Sequence, residues 1–438
     1  MVAIEMIPES LKGGAAALLF SFIHTSDLHL DCPFDGLGHI PTDLGAVLRQ
    51  ATFTAFDQII DLCIERKAAF LLVAGDVYNS EDRSLRAQLR FRNGLAKLSD
   101  TGIASYVVFG NHDPTSGWSA SLDWPANVHI LHSKGVETHE ACCGGTQVAL
   151  ISGISYPKKD VRDNLASQFP KRDGSLFSIA LLHCSCGFSG PHEPYAACDI
   201  SDLSGDYDYW ALGHVHTRGV LRQSSPIVVY PGNPQGLNPK ETGPRGCYLV
   251  EVDDSGEAHL EFVETDAVRW FWEDVSVEGL SREQDILDAL GQSMEEVRSR
   301  ASRPALVRWN LTGRTPLHRL LSRPDFVADL VSDLREAEST KGSDLVWVES
   351  IRNMARPVID IEERRRSEDF TGDFVRLAQA VRGSKEELAK LGEVLMPVLA
   401  QSDASKYLPS PTEAQILAWL EEAELHGLDE LIGDGGGE

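Results

Sequence analysis

Positive charge is scarce in this chain. Its 438 residues include 40 Lys and Arg against 66 Asp and Glu, a formal net charge of −26 at pH 7. The deficit is even, with 19 basic against 32 acidic residues in 1–265 and 21 against 34 beyond. This excludes a protein that grips nucleic acid or an anionic membrane by bulk positive charge, because such binding needs Lys and Arg to displace counterions. It leaves room for a phosphate-directed enzyme whose positive charge is bound metal. Long apolar runs are also missing. The run at 15–23 is too short to cross a bilayer, and Glu5 and Glu9 before it carry the wrong charge for a secretory leader. Cysteine is sparse: Cys32, Cys63, Cys142, Cys143, Cys184, Cys186, Cys198 and Cys247. Neither Cys184-x-Cys186 nor the Cys142–Cys143 pair has the doubled C-x-x-C spacing of a zinc module. A chain of this size needs no disulfide framework, so the expectation is reduced thiols in a cytoplasmic protein.

What is present is a globular composition, 42% hydrophobic, long enough for two or three domains. Up to residue 250, short apolar runs alternate with helical patterns. Strands are expected at 18–24, 70–74, 105–109, 148–154, 178–183, 209–212, 228–230 and 248–252. Helices are expected at 44–67 and at 84–98, the latter with Leu85, Leu89, Leu95 and Leu98 inward. That order implies an α/β sheet with crossover helices on its faces. Near Thr265 the pattern changes. Strands at 270–275, 305–311 and 345–351, with helices at 281–300 and 324–338 between them, suggest a small α+β domain. From Ser367 the chain reads as helical, with S-x-x-E capping boxes at Ser384–Glu387 and Ser410–Glu413.

Five short segments concentrate the metal-capable side chains: Asp27-Leu28-His29, Gly75-Asp76, Gly110-Asn111-His112-Asp113, His183 and Gly213-His214-Val215-His216. Four of them follow an expected strand, where α/β proteins place chemistry. Together they offer two Asp, one Asn and four His, with His112 left over. That set suits two divalent cations ~3.5–4 Å apart. Ions that close need a shared anionic ligand, and Asp76 stands alone between the other groups. Asp27 and His29, at i and i+2 on one side of an extended chain, can chelate one ion together. His214 and His216 have the same spacing, but a sharp turn after Gly213 can aim them at different ions. The bland alternative is a set of structural loop histidines and capping aspartates, which would require five coincidences.

These segments resemble the calcineurin-like metallophosphoesterases, whose pattern D-x-H, G-D, G-N-H-D/E, H, G-H-x-H they reproduce in order. The chain is most similar to the SbcD/YhaO type of DNA-repair nuclease, through His24–Asp31, Tyr230-Pro231-Gly232-Asn233-Pro234-Gln235-Gly236 and Gly246–Glu251 as well. The resemblance implies a four-layer β-sandwich flanked by helices, with a smaller α+β capping domain and C-terminal helices. The corresponding boundaries are 20–262 for the phosphoesterase domain, 266–360 for the cap and 367–432 for a helical partner-docking segment. It implies that Asp27, His29, Asp76 and His216 hold one metal, and that Asp76, Asn111, His183 and His214 hold the other. His112 would act on the scissile phosphate and the leaving oxygen, with Asp113 orienting it. The cofactor implied is a pair of Mn²⁺ ions, with Fe²⁺ or Zn²⁺ as alternatives; the mixed His, carboxylate and amide donors suit such ions better than Ca²⁺. The substrate implied is DNA, and the partner an SMC-like coiled-coil ATPase of the SbcC/YhaN type; a homodimer is also compatible, and no membrane is involved. The sequence departs from the family at Asn79, where an acidic residue often stands, and at Gly236-Leu237-Asn238, which lacks basic residues found in some relatives. A stand-alone small-molecule phosphoesterase, for instance of cyclic nucleotides, is the competing reading.

Secondary features have two readings each. Arg83, Arg86 and Arg90 share a helix face, either a phosphate-contacting ridge or, in the favoured reading, a solvated face pairing with Glu81 and Asp82. Trp118 and Trp124 either stack on bases or, as favoured, pack under a loop. Cys184 and Cys186, close to His183, read as structural thiols. The apolar positions of the last helices, among them Leu388, Val394, Ile416 and Trp419, serve either a partner or internal packing.

Overall fold

Side-chain alternation along the strands decides the architecture. A computed structural model of the chain describes residues 18–34, 42–80, 83–172, 176–187, 195–338, 341, 344–399 and 411–433. In chain order the first elements are β1 (Leu18–Thr25), α1 (Thr42–Glu65), β2 (Phe70–Ala74), α2 (Leu85–Asp100), β3 (Ala104–Val108), β4 (Val128–Ile130), β5 (Glu137–Cys143), β6 (Thr146–Ile154), β7 (Phe177–His183), β8 (Tyr209–Gly213), β9 (Gly219–Arg222), β10 (Ile227–Tyr230), β11 (Gly246–Asp253) and β12 (Ala258–Glu264). They make two six-stranded sheets, β12-β11-β1-β2-β3-β4 and β5-β6-β7-β8-β10-β9. Strands β1 to β4, and β6, β7, β8 and β10, run parallel. Antiparallel strands lie outside them.

Successive residues of an inner strand serve different cores. Phe22, Phe70, Leu72 and Tyr106 of the first sheet face Ile151, Ile179, Leu181, Tyr209 and Val229 of the second. Phe22 stacks on Phe70 at 5.0 Å, and Tyr209 stands edge-on to Phe22 at 5.4 Å. The alternate residues Leu71, Val73, Val107 and Leu249 pack on Phe53, Phe56, Ile59 and Ile60 of α1 and on Phe91, Leu95 and Leu98 of α2. On the far side, Leu182, Trp210, Leu212 and Tyr230 are covered by Leu165, Phe169, Leu203 and Tyr207, which belong to loops and single 3₁₀ turns. The result is a four-layer α/β sandwich. Each fully buried large side chain contributes about 1.5–3 kcal/mol, so runs buried on both faces carry most of its stability.

The strands that the apolar runs did not signal are β4, β5, β9 and β12. All four are sheet edges. Half-exposed strands such as β5, Glu-Thr-His-Glu-Ala-Cys-Cys, carry polar residues and lose the apolar signal. Helix α2 is also turned from its expected face. Its buried positions are Ala87, Gln88, Phe91, Gly94, Leu95 and Leu98, while Leu85 and Leu89 are exposed. Gln88 goes inward because its side chain bonds the Arg83 carbonyl and the Ala120 N–H.

Three more strands, β13 (Arg269–Ser276), β14 (Ala305–Thr312) and β15 (Val346–Asn353), form a separate sheet in that order. Helices Glu283–Ala301 and Pro324–Glu338 fall between them, within two residues of the expected spans. The chain divides into two compact units. One holds the chain up to Glu273 with Met294–Arg308 and Leu334–Ser350; the other holds Asp274–Ser293, Trp309–Asp333 and the chain from Ile351. The first contains both six-stranded sheets. The second contains helices Phe370–Gly383, Lys385–Leu399 and Glu413–Gly433. There Arg314 makes a two-pronged bond to Asp429 at 2.9 and 2.8 Å, and Arg382 pairs with Glu424 at 2.6 Å. Ser384 caps its helix by accepting from the Glu387 N–H at 3.3 Å. The last helix is capped by a reciprocal Thr412–Gln415 pair; Ser410 lies outside the described residues, as do Glu81 and Asp82. Among the described residues no helix is long and apolar enough to cross a membrane.

Candidate metal centre

The loops after β1, β2, β3, β7 and β8 converge. The first two run side by side: the N–H groups of Asp27, His29 and Leu30 donate to the carbonyls of Gly75, Asp76 and Val77 at 3.0, 3.1 and 2.9 Å. Asp27, His29, Asp76 and His214 all adopt positive φ, at 52°, 41°, 49° and 100°. Such conformations cost a non-glycine residue free energy and concentrate at functional sites. They replace the extended geometry expected of Asp27 and His29, yet the two still come together, because the left-handed turns aim both inward.

Two groups of possible ligands result, each with its ligand atoms within 4.8 Å of one another. One is Asp27, His29 and His216; the other is Asp76, His183 and His214. Asn111 joins the second, its Oδ1 lying 3.0 Å from His183 Nε2 and 3.1 Å from His214 Nδ1. Asp76 lies between the groups, with Oδ2 3.4 Å from His183 Nε2 and 4.0 Å from His29 Nε2. His214 and His216 separate into different groups, as a sharp turn allows. Nε2 of His29 faces Nε2 of His216 at 3.0 Å. Two imidazole nitrogens that close converge on a position suited to a cation. Asp27, His29, Asp76, Asn111 and His183 are buried, while His112, His214 and His216 are half-buried. The donor chemistry therefore fits two divalent ions. A third cluster, Asp253, Glu257 and His259, lies at the turn between β11 and β12. There Asp253 accepts from the Ser255 and Glu257 N–H groups.

The electrostatics agree with that fit. Burial pushes the Asp27 carboxyl up, against the pull of His183 and His216. Burial also works to raise Asp76, but the charge and hydrogen bond of His183 hold it well below the usual carboxylate range. The reciprocal effect overcomes desolvation at His183 and lifts it to about 9. His29 and His214, both penalised mainly by burial, fall to about 3. Asp76 thus draws positive charge onto His183, while burial outweighs its pull at His29 and His214.

Orientation of the remaining residues differs from expectation in one respect. The His112 ring is held by the Asn79 carbonyl, 2.9 Å from Nδ1, and the backbone N–H of His112 donates to Asp76 Oδ1 at 3.0 Å. Asp113, expected to orient that ring, holds backbone instead. It accepts from the N–H groups of Val77, Tyr78 and Gly110 at 2.7, 3.1 and 2.8 Å, tying the loop after β3 to the loop after β2. The neighbourhood is supported by Arg83, which was expected on a helix face. It precedes Ser84, the N-cap of α2. It is buried, stacks on Phe109 at 4.4 Å and donates to the Asp113 and Pro114 carbonyls at 2.6 Å each. Arg86 and Arg90 pair with Asp31 and Asp57. Trp124 packs against Phe91 and Trp118 is exposed. Cys184, Cys186 and Cys198 are buried thiols.

Sequence reasoning gave no individual role to four residues of the site. Ser26 donates to Asp27 Oδ2 at 2.5 Å. Glu241 accepts from His216 Nδ1 at 2.7 Å. Asn233 bonds Glu241, and Arg245 bonds both Asn233 and the His216 carbonyl. The Y-P-G-N-P-Q-G motif pointed at Asn233; nothing local marked Glu241 or Arg245.

Comparison with known proteins identifies the group. The calcineurin-like phosphoesterase family model matches residues 20–218. The metallophosphoesterase YhaO of Bacillus subtilis (strain 168) is 35% identical over 328 residues, covering 75% of this chain and 80% of that one. This chain belongs to the YhaO family of calcineurin-like metallophosphoesterases. The YhaO middle-domain model matches 270–356, the stretch that contains the three-stranded sheet. At lower identity, the DNA double-strand break repair protein Mre11 of Thermoplasma acidophilum is 27% identical over 237 residues, 50% of this chain and 61% of that one. Mre11 of Methanopyrus kandleri is 26% identical over 310 residues, 65% and 63%. A crystal structure of a dimetal phosphatase from Danio rerio aligns with 56% of this chain and all of that one, at TM-score 0.34 and 10% identity. The family match and the two ligand groups make this metallophosphoesterase a hydrolase with a candidate dimetal site.

Proposed function

We propose that this metallophosphoesterase cleaves phosphodiester bonds of DNA, as the nuclease subunit of a repair assembly with an SMC-like coiled-coil ATPase. The observation that carries the reading is the division of seven side chains into two ligand groups that meet on Asp76, with His112 beside them. Asp27, His29, Asp76 and His216 would hold one ion; Asp76, Asn111, His183 and His214 would hold the other, with Mn²⁺ the favoured metal. Bound ions would supply the charge that makes water nucleophilic and offsets negative charge on the phosphoryl oxygens. The protein does the rest. The Ala74 carbonyl, 2.9 Å from His183 Nδ1, leaves Nε2 as the ligand atom of that ring. Asn79 engages Nδ1 of His112, so Nε2 is the nitrogen left to pass a proton to the leaving oxygen. Asp113 keeps the His112 loop against the Asp76 loop.

Similarity to the Mre11 proteins supports DNA as the substrate class. Exposed Leu377, Val394 and Trp419 on the C-terminal helices support a protein partner there. The net charge of −26 favours the second reading, a small-molecule phosphoesterase. The deciding experiment incubates the protein and its His112→Ala variant with Mn²⁺ and linear duplex or single-stranded DNA, and in parallel with cyclic nucleotides and bis-p-nitrophenyl phosphate. DNA degradation lost in the variant supports the nuclease. Turnover of small diesters with intact DNA, even with the ATPase present, would establish the second reading.

A further inference from the structure

We propose that Glu241 is a positioning residue that sets the occupancy of one metal position, the one formed by Asp27, His29 and His216, by fixing the ring of His216. The inference rests on the dimetal reading above and assigns a role to the loop after β10 that the chemistry has not yet used.

Both Glu241 oxygens are committed. Oε1 takes His216 Nδ1 at 2.7 Å, while Oε2 accepts from Asn233 Nδ2 at 2.9 Å and from the Leu237 N–H at 2.7 Å. A carboxylate saturated by donors can only accept from Nδ1, which makes Nε2 of His216 the ligand atom. The backbone of the same histidine is held from the same loop. Its carbonyl accepts from the Asn233 N–H at 3.3 Å and from Arg245, whose guanidinium also bonds Asn233 Oδ1 at 2.7 Å. Gly232 permits this approach: at φ 76°, a Cβ there would lie 2.6 Å from the His216 carbonyl oxygen. The Pro-Gly-Asn motif and the Glu241–Arg245 stretch therefore form one clamp on His216.

The two metal positions differ in how their histidines are anchored. His183 is fully buried and fixed by a main-chain carbonyl. Nδ1 of His29 is buried without a hydrogen-bond partner, and the His216 side chain is 33% exposed. With Glu241 removed, the His216 ring keeps only the 3.0 Å approach of His29 Nε2, and that ring has no hydrogen bond at its own Nδ1. The position containing Asp76, Asn111, His183 and His214 has no member bonded to the clamp's carboxylate. Loss of Glu241 is therefore selective.

The test uses the full-length protein stripped of metal and titrated with Mn²⁺ by calorimetry and electron paramagnetic resonance. In Glu241→Gln, one of two Mn²⁺ affinities falls about 10- to 100-fold, the usual effect of removing a carboxylate behind a histidine ligand. The other stays unchanged, and at limiting metal an isolated-ion signal replaces that of a spin-coupled pair. Melting of the metal-free variant is expected to match wild type, which separates positioning from a structural role. If the Gln amide unfolds the loop, Glu241→Asp, which keeps the charge and withdraws the oxygen by one methylene, is read in the same way. Equal weakening of both affinities, or no weakening, overturns the proposal. Wild-type protein that binds no Mn²⁺ overturns instead the dimetal reading on which it rests.

Discussion

Gly110→Ala tests the geometry of the metal centre most directly. Gly110 opens the loop after β3, and its φ lies outside the left-handed range, so alanine suits the backbone. The obstacle is space. The new Cβ would lie 2.3 Å from Asp76 Oδ1 and 2.6 Å from Nε2 and Cδ2 of His183. Carbon settles ~3.5 Å from its neighbours, so something must retreat by roughly 1 Å. Gly110 is pinned by its N–H to Asp113, His183 by the Ala74 carbonyl, and Asp76 by the His112 N–H. The Asp76 carboxylate, shared between the two groups, and the His183 ring must both yield. Displacement of that size costs about 10²-fold in turnover. Overpacking adds a stability loss of about 1–3 kcal/mol. The assay is hydrolysis of bis-p-nitrophenyl phosphate at saturating Mn²⁺, with metal stoichiometry and thermal melting measured alongside. Gly205→Ala is the control, since nothing lies within 4 Å of a Cβ there. A Gly110→Ala protein with two ions and unchanged turnover would refute the convergence of Asp76 and His183.

Three further substitutions extend the test. His112→Ala is expected to lower turnover by about 10²- to 10⁴-fold while metal analysis finds the ion content of wild type. Asp76→Ala is expected to lose both ions, measured by equilibrium dialysis, because this one side chain approaches both groups; retention of either ion at full affinity would show that it is not shared. Arg83→Met removes two charge-assisted bonds to the Asp113 and Pro114 carbonyls. It should destabilise the protein by about 2–4 kcal/mol in denaturant unfolding and slow turnover through the His112 loop.

Much of the fold was legible because inner strands of an α/β sandwich are apolar on both faces. Phe70–Ala74 and Tyr209–Gly213 are fully buried and stand out in any reading of hydrophobicity. Edge strands such as β5 and β12 are half exposed, and their patterns merge with those of loops. Helix α2 misled for a related reason. Leu85 and Leu89 are apolar but exposed, while buried Gln88 is polar with its bonds satisfied by distant backbone. The candidate site was legible because its ligands come in short local motifs whose spacing survives in one dimension.

The sequence by itself determined which side chains are available for metal chemistry and that most sit just beyond strands, since residue identity and strand burial are written locally. Only the tertiary structure decided how they divide. Asp27 meets His216, Asn111 meets His183, and His112 leans on Asn79 rather than Asp113. Glu241 and Arg83, which hold the surroundings in place, carry no local signature. Their roles come from contacts across the packed sandwich, where through-space distance, unlike spacing along the chain, is set by how sheets and loops close on one another.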